Sequence, residues 1–125
     1  IIQGKKYTVL VPKVDVDNNE IAGIRNVGLR VPLGTYTGWS LRQKGFGEGD
    51  LATLDGMFIP FRTTKEERIA AGDSRLSLEE RYGTHDGYVA AVTKAAHDLV
   101  SEGFLLDEDA KEMITQAEKS DVLKK

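Results

Sequence analysis

The sequence predicts an α+β domain that is β-rich over residues 1–61 and helical over residues 62–125. Glycines and short runs of β-forming residues dominate the first part, whereas helix-capping patterns and a long helical periodicity occupy the second. The total of 125 residues suits one domain. We therefore expect a single domain in which short strands and Gly-rich loops precede a C-terminal helical hairpin.

The first part contains four segments with extended or turn character. Residues 7–12, YTVLVP, predict a strand that ends at a proline, and VDVDNNE at 14–20 predicts a hairpin. Alternating apolar residues predict a second extended stretch over 21–32. Six glycines without helical period predict loops and short strands over 34–56, and the apolar run MFIPF at 57–61 predicts a buried segment.

The second part carries the signals of several helix starts. Thr64 with Glu67, and Ser77 with Glu80, have the spacing of a capping box. Apolar residues at helical spacing predict a long helix over about 86–102, with a glycine following as its C-cap. Asp107 is the predicted cap of a last helix, and we expect residues 119–125 to fray.

Composition excludes several classes of function. The chain has no cysteine, which excludes disulfides, thiolate nucleophiles and cysteine-based metal sites. Acidic residues outnumber basic ones, 20 to 17, and no basic cluster emerges, so nucleic-acid binding is disfavoured. No apolar run approaches the roughly 18 residues that span a bilayer. We expect no cofactor and no metal.

Two glycine-containing motifs resemble active-site signatures without satisfying them. The run GFGEGD at 45–50 places carboxylates where a phosphate loop needs N–H donors and a following lysine. Gly38-Trp39-Ser40-Leu41-Arg42 begins like a nucleophile elbow, but Arg42 stands where the second glycine belongs. Both stretches are interpreted as structural turns.

The polar candidates for chemistry are few. Asp15, Asp17 and Asn19 have the spacing that opens a calcium loop, yet the glycine and the bidentate glutamate of such a loop are missing, so a hairpin explains them better. His97 falls on the polar flank of the long helix. His85 precedes that helix and is the one candidate general base, although a surface loop position without a nucleophile partner is favoured.

A group of aromatic residues is the remaining candidate site. Tyr36, Trp39, Phe46 and Phe58 lie within 23 positions of one another in the sequence. They could line a pocket for a small molecule, or they could form the core of a small β-rich layer.

Several blocks of the sequence are together typical of one family. They are VPKVD at 11–15, AGIR at 22–25, VPLGTYTGW at 31–39, PFRT at 60–63, SLEERYG at 77–83 and YVA at 88–90. Spread over about residues 7–117, they resemble the C-terminal part of bacterial α/β-hydrolase-domain proteins. The start at Ile1 instead of methionine fits a fragment of a larger protein.

The resemblance implies an accessory C-terminal region, inactive alone, of a serine hydrolase that acts on small esters or related acyl bonds. The nucleophile would belong to an upstream hydrolase body, which is the expected partner, and the resemblance favours an exported or periplasmic protein. It assigns no catalytic residue to this sequence. A free-standing binding or interaction module, using the aromatic cluster or the helical hairpin, remains the alternative, and an enzyme that uses His85 ranks third.

Overall fold

The computed structural model describes residues 10–45, 47–52 and 56–124 and shows the predicted mixed α+β fold. Within these ranges the strands are β1 (Gly34–Thr37), β2 (Ser40–Leu41), β3 (Leu51–Ala52) and β4 (Met57–Pro60). The helices are α1 (Val27–Arg30), α2 (Lys65–Ala70), α3 (Leu78–Tyr82), α4 (His85–Ser101) and α5 (Asp107–Lys119).

The strands form two small antiparallel ribbons. β1 pairs with β4 in the register Gly34↔Pro60 to Thr37↔Met57, and β2 pairs with β3. Alternate residues of a strand point to opposite faces, so Thr35, Thr37 and their cross-strand partners share one face of the first ribbon. The Gly-rich loops join these short strands, as the sequence predicted.

The hydrophobic core lies where α1 and the residue after it meet α4 and α5. α4 packs along α5 as the predicted helical hairpin, and α1 packs against α4. The buried side chains of this core are Val27, Val31, Tyr88, Val92, Ala95, Ala96, Leu99, Ala110 and Ala117. The Tyr82 hydroxyl donates to the Pro32 carbonyl at 2.7 Å and ties α3 to the segment that leads into β1.

The helix starts follow from local capping chemistry. Both predicted capping boxes are present: the Thr64 side chain accepts from the Glu67 N–H, and the Ser77 side chain accepts from the Glu80 N–H. The predicted cap at Asp107 is wrong by one residue. Leu106 occupies the N-cap position without a side-chain hydrogen bond, and Asp107 is the first helical residue, where its charge still suits the helix dipole.

Two predictions of extended or buried structure are corrected. Residues 27–30, within the stretch predicted as extended, form α1, because Asn26 caps the Leu29 N–H and the apolar residues Val27 and Val31 are four positions apart and both buried. In the segment 57–61 only Phe61 is buried, and the side chains of β4 are exposed. Of the strand predicted over 7–12, the described part, 10–12, is not in a strand.

The predicted hairpin over residues 14–20 is present, and a side chain joins it to the first ribbon. Val14 and Glu20 form an antiparallel bridge. The Asn19 side chain is fully buried; its Nδ2 donates to the Gly34 carbonyl at 3.0 Å and its Oδ1 accepts from the Tyr36 N–H at 2.7 Å. This amide therefore takes the place of a neighbouring strand along the outer edge of β1.

A buried ion pair joins the same hairpin to α3. The Arg81 guanidinium donates to both carboxylate oxygens of Asp17, one at 2.8 Å, and Asp17 is 7% exposed. The carbon at the centre of the Arg81 guanidinium lies 4.0 Å from the ring centroid of Phe61, which is itself buried. The hairpin thus reaches the helical half through side chains that are far apart in the sequence.

Candidate functional site

An open cleft of about 490 Å³ lies between the first ribbon and the chain that leads into the hairpin. Thr35 and Thr37 of β1 and Met57 and Ile59 of β4 contribute from the ribbon, consistent with their shared face. The remaining lining residues are Val11, Pro12, Val14, Asn18, Glu20, Tyr36, Trp39, Gly72, Asp73, Ser74 and Arg75. The walls are mainly apolar, and the charged groups are few.

One end of the cleft is organised by Arg75. Its Nε donates to Asp73 Oδ1 at 2.9 Å and its Nη2 donates to Oδ2 at 2.6 Å. Its Nη1 donates to the Thr35 hydroxyl at 2.9 Å and to the Ile59 carbonyl at 3.0 Å. The hydrogen bonds from Arg75 hold the pKa of the Asp73 carboxyl at about 2. The donors of this guanidinium are thus used within the protein, which leaves it little capacity to bind an anionic ligand.

Glu20 is the third charged residue of the cleft. Its Oε1 lies 3.8 Å from the position that a Cβ on Gly38 would take, so the carboxylate stands beside the turn that carries Trp39. None of the ion pairs within residues 10–45, 47–52 and 56–124 involves Glu20. Because Asp73 and Arg75 neutralise each other, the described residues that line the cleft carry one net negative charge, and Trp39 is among them.

The predicted aromatic site is only partly assembled around this cleft. Trp39 and Tyr36 border it. Tyr36 also stacks on Phe58, with ring centroids 4.8 Å apart, and Phe58 belongs to the opposite face of the ribbon from Met57 and Ile59. Phe46 lies outside the described residues. Of the three described residues, Tyr36 and Trp39 therefore line the cleft and Phe58 does not.

His85 does not have the loop position expected for it. It is the first residue of α4, half-buried, behind the N-cap Thr84. Its Nδ1 lies 2.8 Å from the Val122 carbonyl and its Nε2 lies 3.1 Å from the Glu118 carbonyl. Both ring nitrogens thus face backbone carbonyls at the end of α5, and the residue links that end to the start of α4.

The segment 119–125, which was expected to fray, makes contacts with the rest of the chain up to residue 124. Val122 packs against the core, the Ser120 hydroxyl donates to the Ala117 carbonyl at 2.7 Å, and Lys124 Nζ donates to the Glu118 carbonyl. His97 is exposed on α4, as predicted.

The glycine motifs have the turn geometry expected of them. Residues 42–45 and 47–50 lie between β2 and β3, with Gly47 and Gly49 at positive φ, and β3 rather than a helix that could hold a phosphate follows them. Ser40 opens β2, which is also followed by this turn and not by a helix. The strand-to-helix geometry of a nucleophile elbow is therefore absent at Ser40.

The residues of the calcium-like spacing have structural partners in place of a metal. Asp15 Oδ1 accepts from the Asp17 and Asn19 N–H groups, and Asp15 Oδ2 accepts from Arg25 at 2.8 Å. Asp17 pairs with Arg81, and Asn19 binds β1. Across the described ranges no three His, Asp or Glu side chains assemble as a metal site.

Sequence reasoning missed the polar part of the cleft. Glu20 was read only as part of the hairpin, and Asp73 and Arg75 belong to no recognisable motif. The one local signal is that Asp73 and Arg75 are two residues apart, and this spacing also occurs in ordinary turns.

Of the helices in the described ranges, none combines the length and apolarity that crossing a lipid bilayer requires.

Comparisons with known proteins place the chain in a family. A search of curated proteins and a search of solved structures found no significant match. A family model described as an alpha/beta hydrolase domain matches residues 2–115, which is nearly the whole sequence. The chain therefore belongs to the α/β hydrolase domain family.

Proposed function

We propose that this chain is a single accessory domain of an α/β-hydrolase protein and that it presents its cleft to a catalytic body that supplies the nucleophile. Membership of the family supports a hydrolase context. The absence of a Gly-x-Ser-x-Gly motif from the sequence and the turn geometry after Ser40 support a nucleophile outside these residues. The reaction would be hydrolysis of a small ester or a related acyl bond.

The observation that carries the proposal is the uncovered apolar surface of the β-rich half. Met57, Phe58 and Ile59 are 41%, 51% and 39% exposed, although strands of this composition ordinarily cover a core. Fourteen large apolar side chains of the described residues are exposed, and ten of them lie within 10–59; the other four are Ile69, Leu76, Phe104 and Leu106. An apolar surface of this kind marks a contact site.

The cleft is the part of this surface that would face the substrate. Apolar side chains from the ribbon and from residues 11–14 line it, and Trp39 stands at its rim. A hydrolase requires an apolar pocket beside its nucleophile to hold an acyl or leaving group, and a domain packed over the active site can supply one wall of it. The accessory domain would then contribute specificity, while the catalytic body performs the chemistry.

Labelling with a serine-reactive fluorophosphonate tests whether the nucleophile lies elsewhere. We expect the folded 125-residue chain to form no adduct under conditions in which a serine hydrolase is labelled fully. Peptide mass mapping locates any adduct that does form. A stoichiometric adduct on Ser40 or on another serine would overturn the accessory role, because the chain would then carry an activated nucleophile of its own.

Binding of a neutral apolar dye tests the uncovered surface itself. We expect the double variant Met57→Ser and Ile59→Ser to bind much less Nile red than the parent chain. The matched control, Phe104→Ser with Leu106→Ser, changes two exposed apolar residues of the link between α4 and α5. Equal dye binding by both double variants would show that β4 binds the dye no better than the exposed apolar residues between α4 and α5. The main support for a contact site on the β-rich surface would then be lost.

A free-standing binding module is the second candidate function. Its support is the volume of the cleft, about 490 Å³, which falls in the range of about 300–1,000 Å³ that is typical of small-molecule sites. Such a module would bind its ligand fully without a catalytic body. An accessory domain would bind the same ligand more weakly alone than in the presence of the body that completes the pocket.

A further inference from the structure

We infer that the cleft selects a small organic ammonium ion with an apolar body. The inference deepens the proposed function, because it names the chemical class of the group that the cleft would hold, but binding by the isolated chain can be tested without any catalytic body. It rests on the charges, hydrogen bonds and apolar walls of the cleft.

The first step is the charge balance. Among the described residues, those with charge that line the cleft are Glu20, Asp73 and Arg75, and the last two form an ion pair in which the guanidinium hydrogen-bonds both carboxylate oxygens. Glu20 takes part in none of the ion pairs of the described residues. The carboxylate of Glu20 therefore sets the sign of the charge that a ligand needs.

The second step excludes an anionic ligand. Within the described ranges Arg75 is the one basic residue that lines the cleft, and it already donates to Asp73, to the Thr35 hydroxyl and to the Ile59 carbonyl. An anion would have to break these bonds or remain without a cationic partner beside Glu20. Glu20 is half-buried, and a close contact between its carboxylate and an anionic ligand is unfavourable because like charges repel.

The third step distinguishes a cation from a neutral apolar ligand. A neutral compound that fills the apolar walls would remove water from the Glu20 carboxylate and offer it no charge in return. An ammonium group supplies both a counter-charge and N–H donors. Trp39 follows directly after the glycine that lies beside the Glu20 carboxylate, and an indole face adds attraction for a cation.

The apolar walls of the cleft determine which group the ligand should carry besides its ammonium group. Met57, Ile59 and Val14 contribute apolar surface, and the volume of about 490 Å³ suits a compact hydrocarbon group. An alkyl or cycloalkyl body that carries one ammonium group fits both the walls and the charge.

Three probes of similar shape and different charge test the inference: cyclohexylmethylammonium, cyclohexylmethanol and cyclohexanecarboxylate. Trp39 is the only tryptophan of the chain, so its fluorescence reports on the cleft without labelling. Because the probes do not absorb where tryptophan does, the change in fluorescence can be followed directly. We expect the cation to bind at least about tenfold more tightly than the alcohol, and the carboxylate to bind more weakly than either.

Substitution of Glu20 isolates the origin of this preference. In Glu20→Gln the affinity for the cation should fall to that for the alcohol, and the affinity for the alcohol should be unchanged. The control Glu66→Gln removes the same charge from the exposed surface of α2 and should preserve the preference. Circular dichroism verifies that both variants are folded.

The inference is overturned if the alcohol binds as tightly as the cation, if the carboxylate binds best, or if Glu20→Gln retains the preference. None of these results would contradict the accessory role, which depends on the fluorophosphonate result and on the uncovered apolar surface. Conversely, an adduct on a serine of this chain would overturn the accessory role and leave the charge preference of the cleft intact.

Discussion

Asp17 and Arg81 form a two-pronged ion pair across 64 positions of sequence, and both side chains are largely buried. Arg81 lies against the ring of Phe61 on its other side. The pair connects a hairpin that has little apolar burial of its own to a helix of the opposite half. Loss of one partner would leave the other as a buried charge, which is much more costly than losing a surface pair.

Asp17→Asn should therefore lower the free energy of unfolding by about 3 to 5 kcal/mol. The matched control is Asp98→Asn, which removes a carboxylate from the exposed pair with Lys94 and should change the free energy of unfolding far less. Urea denaturation followed by circular dichroism measures both. Similar losses in the two variants would show that the buried pair is not important for stability.

Asn19→Ala should lower the free energy of unfolding by about 2 to 4 kcal/mol, because the Gly34 carbonyl and the Tyr36 N–H would lose their partner. The neighbouring Asn18 has φ +62, a conformation that glycine adopts readily. Asn18→Gly is thus a control in the same hairpin and should be close to neutral. A near-neutral Asn19→Ala would mean that water replaces the amide without cost.

Acid should destabilise the chain through Asp73. Its folded pKa of about 2 lies below its ordinary value of 3.8, because Arg75 hydrogen-bonds the ionised carboxylate. A depressed pKa contributes stability that is present above about pH 4 and is lost as the pH falls towards 2. Asp73→Asn should lower the free energy of unfolding by about 1 to 2 kcal/mol at pH 7. Between pH 4 and 2 the free energy of unfolding of this variant should depend less steeply on pH than that of the parent chain.

Part of the acid dependence should remain in that variant. Arg68 hydrogen-bonds Glu80 and holds its pKa at about 2 as well. The informative quantity is the change in slope between the parent and Asp73→Asn over pH 2 to 4, measured by urea denaturation at each pH. An identical slope in both proteins would contradict the assignment to Asp73.

His85→Ala should release the segment after α5. The variant loses the contacts of the ring with the carbonyls of Glu118 and Val122; a neutral imidazole has one N–H and donates to one of them, which is worth about 1 kcal/mol. Hydrogen exchange should accelerate at residues 120–124 and change little in the centre of α4. His97→Ala, on the exposed face of α4, should leave exchange unchanged, and slow exchange at 120–124 in both variants would contradict the linking role of His85.

The helical half could be predicted because its signals are local. Thr64 and Ser77 each form a capping box with a glutamate three residues later, which predicts where a helix begins. The glycine at 103 predicts where a helix ends. Where prediction failed, two local signals competed. Val27 and Val31 suit a strand as well as a helical turn, and the decisive residue was the cap Asn26. For His85, the cap Thr84 placed it in the helix and not before it.

The cleft could not be predicted, because long-range contacts assemble it. Trp39 was recognised as an aromatic residue, yet nothing in the sequence places it beside Glu20 or near Arg75. The apolar run at 57–61 was expected to be buried, since its composition is that of a core strand. Whether β4 is exposed depends on which other elements cover the ribbon, and the composition of the strand does not reveal this.

The amide of Asn19 also limits how the ribbon could polymerise. It occupies the outer edge of β1, whereas no strand of the described residues lies along the outer edge of β4. Two copies that joined through β4 would form a four-stranded sheet with an asparagine closing each end. Growth through this ribbon would stop at two chains, so β4 can be exposed without acting as a template for fibres.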